Sequence, residues 1–157
     1  ALFRKNKIAT VMKHIPGHGM AKSDSHYKTS IITSNKKDLI NKDFKPFKNC
    51  RTFFAMTAHL IYKSFDEKYT ATHSSIIINE VIRNTIGFKG ILISDDISMK
   101  ALKFSLKENA IKALDSGCNL VLHCNGNTGE MRKLLKIVPT IDKFTQKKTS
   151  LFYNFLG

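Results

Sequence analysis

Four short apolar runs punctuate the chain: "IATVMKHI" over 8–15, "TFFAMTAHLIY" over 52–62, "GILISDD" over 90–96 and "NLVLHCN" over 119–125. Each has a continuous apolar centre in place of strict alternation with polar residues. That is the pattern of strands buried on both faces. Between these runs the period lengthens. In "SSIIINEVIRNTIG", Ile78, Val81, Ile82 and Ile86 fall on one helical stripe, with Ser74 or Ser75 to cap its start and Gly87 to stop it. "LKENAIKALDSG" repeats the scheme, with Ile111 and Leu114 expected to face inward and Gly117 at the end. "TGEMRKLLKIV" predicts a helix after the fourth run, and "SNKKDLINKDF" another between the first two. The resulting order, β-(α)-β-α-β-α-β-α, calls for parallel strands joined by helical crossovers.

A doubly wound sheet and a (β/α)8 barrel both fit that order. The polar residues decide between them. Lys13 and His14, then His59, then Asp95 and Asp96, stand near the C-terminal ends of three of the runs. In a (β/α)8 barrel that end carries the active site. A whole barrel takes roughly 250 residues. A chain of 157 residues has room for about half of one, in four β/α units.

Composition narrows the classes. Apolar residues make up 42% of the chain, as in ordinary globular domains, and no apolar run approaches the roughly 18 residues of a membrane span. "ALFRKNKIAT" has neither the apolar stretch nor the cleavage site of a signal peptide. The three cysteines, Cys50, Cys118 and Cys124, are odd in number and form no CxxC pair. They argue for a reducing compartment and against both a disulfide framework and a cysteine-built zinc site. The net charge of +14 raises nucleic acid as a partner. The lysines are scattered, however, without a repeated pattern of arginine and aromatic residues, and read better as compositional bias.

The densest titratable chemistry lies in "KHIPGHGMAKSDSHYKTS", residues 13–30. His14 and His18 are four apart, but Pro16 and Gly17 fall between them and no helix aligns them as zinc ligands. "GHGMAKS" departs from a phosphate loop, with Ala21 where glycine should precede Lys22. Asp24 and His26 make a better pair. In an extended segment residues two apart point the same way, and an aspartate beside a histidine fixes its tautomer and supports its protonated form. Such a pair moves protons near neutral pH. The small residues Gly17, Gly19, Ala21, Ser23 and Ser25 suit a loop that moves over a substrate. The competing reading is a surface loop whose polar residues cap turns.

"LISDDISM" is the second constellation. Neighbouring strand residues point to opposite sides, so only one of the two carboxylates faces the barrel mouth. The strand-end position assigns the chemistry to Asp95 and the support to Asp96, with Asp96 or Ser98 expected to cap the next helix. His59 reads as a core or supporting histidine. His73 and His123 read as structural or exposed.

Taken in order, "KHIPGHG…DSH", "MTAHLIY" and "GFKGILISDDISM" resemble glycoside hydrolase family 3, and within it the bacterial β-N-acetylhexosaminidases of cell-wall recycling. The likeness spans nearly the whole chain and is less distinctive after Asn125. It implies that residues 1–157 are the C-terminal half of the family's barrel domain, truncated on its N-terminal side. It implies Asp95 as a nucleophile, His26 as general acid/base with Asp24 as its partner, and Lys13 and His14 as holders of sugar hydroxyls. The implied substrate is a muropeptide ending in β-linked N-acetylglucosamine, and the implied compartment is the cytoplasm. No cofactor, metal, nucleic acid or membrane is called for, but the N-terminal half of the barrel is. Ser30 and Thr57 stand where the family commonly has proline, and the family's further sugar-binding residues would lie before Ala1. An alternative is a catalytically incomplete half-barrel that binds a partner or itself.

Overall fold

All four apolar runs deliver a strand to one parallel sheet in the computed structural model, which describes residues 2–21 and 29–157. The strands are β1 (Val11–Ile15), β2 (Ser30–Ile32), β3 (Phe54–Thr57), β4 (Leu60–Tyr62), β5 (Ile91–Asp96) and β6 (Leu120–Leu122). The main sheet runs β1-β3-β5-β6, so its strands follow one another in chain order. The run over 52–62 is two strands and not one. Ala58 N–H makes the last bond to β1, at Ile15 O (2.9 Å). The chain then turns at His59, and β4 pairs with β2 in a separate parallel ribbon, Ser30 beside Leu60 and Ile32 beside Tyr62. The run looks continuous in sequence because both pieces are buried.

The main sheet has two unlike faces. Met12, Ala55 and Leu92 share one register row, and the face they mark lies under the helices. The stretch Ile77–Thr85, wound as a π-helix, buries Ile77, Ile78, Val81 and Ile82 there. Each such side chain contributes roughly 1.5–3 kcal/mol on burial. Ser74 caps this helix: its hydroxyl accepts from Ile77 N–H (3.1 Å) and its carbonyl from Ile78 N–H (2.9 Å). Gly87, with φ +78°, lies just past its end. The opposite face carries Val11, Phe54 and Ile91 in one row and Lys13, Met56 and Ile93 in the next. In a closed barrel this face would be the interior. Here Val11 and Lys13 are exposed, while Met56 and Ile93 are half-buried.

Among the described residues the α-helical segments are α1 (Leu2–Lys5), ahead of β1, α2 (Lys36–Asp38) and α3 (Leu106–Ser116), between strands, and α4 (Thr128–Leu135) and α5 (Lys143–Leu156), after β6. α2 runs on into a π-turn over Leu39–Asp43. α3 is capped by neither Asp96 nor Ser98. Ser105 closes a capping box with Glu108, each bonding the other's backbone N–H. The buried face of α3 is Asn109, Ala110, Ala113 and Ser116, whereas Ile111 and Leu114 are half-buried. Small residues bring the helix backbone close to the core. Its last turn lies so near the sheet's helices that a Cβ on Gly117 would meet Ile78 Cγ2 at 3.0 Å. α5 carries no strong signal in the sequence. It folds aromatic side chains onto the start of β3, with the Phe152 and Phe54 rings edge to face at 4.9 Å and Phe155 against Phe53 at 5.0 Å. Among the described residues, no helix is long and apolar enough to cross a membrane.

His73 is one of the histidines read as structural or exposed, and it is buried. Its Nε2 donates to Asn109 O (3.1 Å). Burial lowers its pKa from 6.5 to about 4. Between those values the unfolded chain holds a proton that the folded chain refuses. The stability His73 contributes is therefore complete above about pH 6.5 and is lost as the pH falls toward 4. Thermal melts should show the midpoint dropping across this window, and His73→Gln, which keeps a donor for Asn109 O, should flatten the drop.

Candidate active site

The two neighbouring aspartates at the end of β5 divide their work. Asp96 is spent on structure. Its Oδ1 accepts from Ser98 N–H (3.0 Å) and Cys124 N–H (3.2 Å), and its Oδ2 from Ser98 Oγ–H (2.7 Å). Those bonds join the end of β5 to the segment that follows β6. Among the described residues, Asp95 Oδ1 accepts a local bond from Asp96 N–H (2.9 Å), and its Oδ2 lies 3.6 Å from His14 Nε2.

His59 holds the same strand end from below. It is fully buried, and burial lowers its pKa. A carbonyl can only accept, so Nε2 carries the hydrogen donated to Asp96 O (3.0 Å). In the neutral ring Nδ1 then accepts from the Thr72 hydroxyl (2.7 Å), which also lies 2.8 Å from Thr57 Oγ1. His59 is thus the supporting histidine expected, with a fixed tautomer. The parts Thr57 and Thr72 play beside His59 escaped the sequence reading, since nothing in a threonine's neighbourhood marks it as a histidine's support.

His14 reaches Asp95 through an irregularity in β1. Lys13 stands beside Met56 and Ile15 beside Thr57, so two steps along β1 match one along β3. Bulges of this kind re-aim a side chain, and here the extra residue is His14. The Lys13–His14 and Ile15–Pro16 peptide bonds are cis. Burial holds the His14 pKa below its usual value, against the pull of the Asp95 carboxylate. A neutral imidazole beside Asp95 leaves that carboxylate's charge uncancelled. Lys13 is exposed, on the sheet face that also carries Met56 and Ile93.

Beyond β1 the chain is held down where the sequence suggested mobility. Gly19 N–H donates to Asp43 Oδ1 (3.0 Å), and the Tyr62 hydroxyl donates to Gly17 O. A Cβ on Gly17 would lie 2.6 Å from Asp43 Cγ and 2.8 Å from Asp43 O. These two glycines permit close approach to Asp43 and leave little freedom to swing. Asp24 and His26 lie outside the described residues, so the structure brings together Lys13, His14 and Asp95 of the residues singled out. His123 has a partner the sequence did not reveal: its Nε2 lies 2.8 Å from Glu130 Oε2, on the first turn of α4. Among the described residues, no group of three or more histidine, cysteine, aspartate or glutamate side chains is placed to hold a metal ion.

A half-barrel with its acidic residues at the strand ends has known relatives. The family model for the glycosyl hydrolase family 3 N-terminal domain matches residues 2–149. The chain belongs to glycosyl hydrolase family 3. It is 37% identical over 145 residues to a beta-hexosaminidase of Actinobacillus pleuropneumoniae, covering 87% of this chain and 42% of the relative. It is 37% identical over 136 residues to one from Psychromonas ingrahamii, covering 82% and 40%. The chain therefore spans about two fifths of the length of these family 3 relatives. Among solved structures it superposes on NagZ of Neisseria gonorrhoeae with a TM-score of 0.81 at 27% identity, over 94% of this chain and 43% of that one. A family 3 β-N-acetylglucosaminidase from a Paenibacillus species superposes with a TM-score of 0.80 at 26% identity, over 98% and 31%.

The unequal bonding of the two aspartates has a measurable consequence. Asp96→Ala strips an acceptor from Ser98 and Cys124 and should lower the unfolding free energy by about 1–2 kcal/mol. Asp95→Asn keeps an acceptor for Asp96 N–H and should change it by less than about 0.5 kcal/mol. Denaturant unfolding of both variants against the parent checks the contrast.

Proposed function

We propose that the chain carries the catalytic half of a retaining β-N-acetylglucosaminidase that releases terminal β-linked N-acetylglucosamine from peptidoglycan-derived muropeptides in the cytoplasm. The observation that carries this reading is the placement of Asp95: a carboxylate at a strand end, 3.6 Å from a neutral imidazole, beside a second carboxylate bonded to Ser98 and Cys124. The sugar class rests on the relatives. The gonococcal NagZ structure contains N-trifluoroacetyl-D-glucosamine.

In the first step an oxygen of Asp95 attacks the anomeric carbon. The bond from that carbon to the leaving oxygen breaks, its electron pair stays on the oxygen, and protonated His26 supplies the proton. In the second step water attacks the same carbon and gives a proton back to His26, and Asp95 leaves as carboxylate. Two inversions at one centre give net retention. Asp24 holds the tautomer of His26, while Lys13 and His14 take sugar hydroxyls. A histidine in place of the usual second carboxylate alternates between neutral and positive, so it never places a second negative charge beside Asp95. The N-terminal half of the barrel completes the glycone pocket.

A second reading has its own support: Val11 lies exposed on the sheet face that a closed barrel would bury. In that reading the half-barrel binds another polypeptide or a second copy of itself. Light scattering of the purified chain at 17.8 kDa or at twice that mass separates the two.

The 157 residues alone should turn over aryl β-N-acetylglucosaminides weakly or not at all, because reacting groups need sub-ångström placement. Brisk turnover by the isolated chain, abolished by Asp95→Asn, would contradict this. In the full-length protein, His26→Ala should lower kcat/KM by roughly a hundredfold or more on poor leaving groups and spare activated aryl leaving groups that need little protonation. Equal losses on both would remove His26 from the acid role.

A further inference from the structure

The end of β1 carries Asp95's neighbour His14, and Asp24 and His26 follow it further along the same segment of sequence. Between the two lies a backbone clamp built by one residue of another element. Asp43 closes the π-turn that follows β2, 24 positions from Gly19. Its Oδ1 takes Gly19 N–H, its side chain and carbonyl press on Gly17 where a Cβ would not fit, and a Cβ on Gly19 would meet Oδ1 at 3.2 Å. Tyr62, from β4, fixes Gly17 O from another side. Asp43 is half-buried, and its Oδ2 is shut off from solvent with no hydrogen-bond partner among the described residues. A buried carboxylate oxygen without a partner costs stability. A fold that only needed to fill this space would do better with an apolar residue.

The surroundings connect the clamp to the chemistry. The His18 ring lies between the two glycines, electrostatically coupled to Asp43 and 5.8 Å from the His14 ring, which in turn faces Asp95. Burial raises the Asp43 pKa, while the Gly19 N–H and His18 oppose that rise. Burial prevails, and the Asp43 carboxyl sits above its usual range.

We propose that Asp43 is a positioning residue that sets where the chain departs from β1 toward Asp24 and His26, by gripping the backbone at Gly17 and Gly19. This rests on the proposed role of His26 as the proton donor. Asp43 touches no reacting atom. Its loss should therefore matter in proportion to how much the reaction needs the proton.

The test uses the full-length protein and two readouts. The first is kcat/KM, which reports the first chemical step, on a phenyl and a 2,4-dinitrophenyl β-N-acetylglucosaminide. Asp43→Ala should lose roughly tenfold or more on phenyl and less than about threefold on dinitrophenyl, in line with the usual worth of general acid help. Asp43→Asn, which keeps an acceptor for Gly19 N–H, should stay within about threefold on both. Gly19→Ala, which crowds the clamp with the carboxylate intact, should reproduce the leaving-group-dependent loss if Asp43→Ala does not fold. Equal losses on both substrates, or none, would overturn the proposal. The second readout is hydrogen exchange over residues 16–28, which needs no catalysis. Asp43→Ala should speed exchange there and Asp43→Asn should not. Unchanged exchange overturns the clamp. A parent protein without turnover whose exchange responds as expected overturns the glycosidase reading and leaves the clamp standing.

Discussion

The bonds around Asp96 are the constraint on which the site depends. One residue is bonded from three directions: Ser98 behind it, Cys124 from beyond β6, and His59 from beneath through its carbonyl. A strand end would otherwise fray into solvent, since its last backbone groups have no ladder partner. Here the end is tied to the next strand's loop and to a buried imidazole, itself held by Thr72. Asp95 inherits its position from these ties.

The same economy appears at the end of β1. The bulge aims His14 at Asp95, and burial keeps the imidazole neutral. The chain beyond it is tied by its backbone, through Gly17 and Gly19, and by Met20 and Ala21, which pack against the core. Both halves of the site are thus supported from outside: by His59 and its threonines under β5, and by Asp43 and Tyr62 beside β1.

Much of this was legible in the residues. The four apolar runs mark the four strands of the main sheet because strands covered on one side by helices and on the other by a barrel interior must be apolar on both. The stripe Ile78, Val81, Ile82, Ile86 and its Ser74 cap are equally local. The bonds of Asp96 to Ser98 are local too. The illegible parts depend on distant contacts. The break at His59 arises because β4 finds β2 as its partner. Ile111 and Leu114 yield the inner face of α3 to Ala110 and Ala113 because close approach to the sheet selects for size over hydrophobicity. The glycines of "PGHG" read as freedom, and only the position of Asp43, far along the chain, turns them into a clamp. α5 is polar at most positions and finds its place through a few phenylalanines.

The central claim is that Asp95 bonds to the sugar. The direct measurement is mass spectrometry of the full-length protein after treatment with a slowly hydrolysed fluorinated β-N-acetylglucosaminyl fluoride. One fluorinated N-acetylglucosaminyl group should be added, on the peptide containing Asp95, and Asp95→Asn should prevent it. Turnover with no adduct, or an adduct on another side chain, would contradict the account.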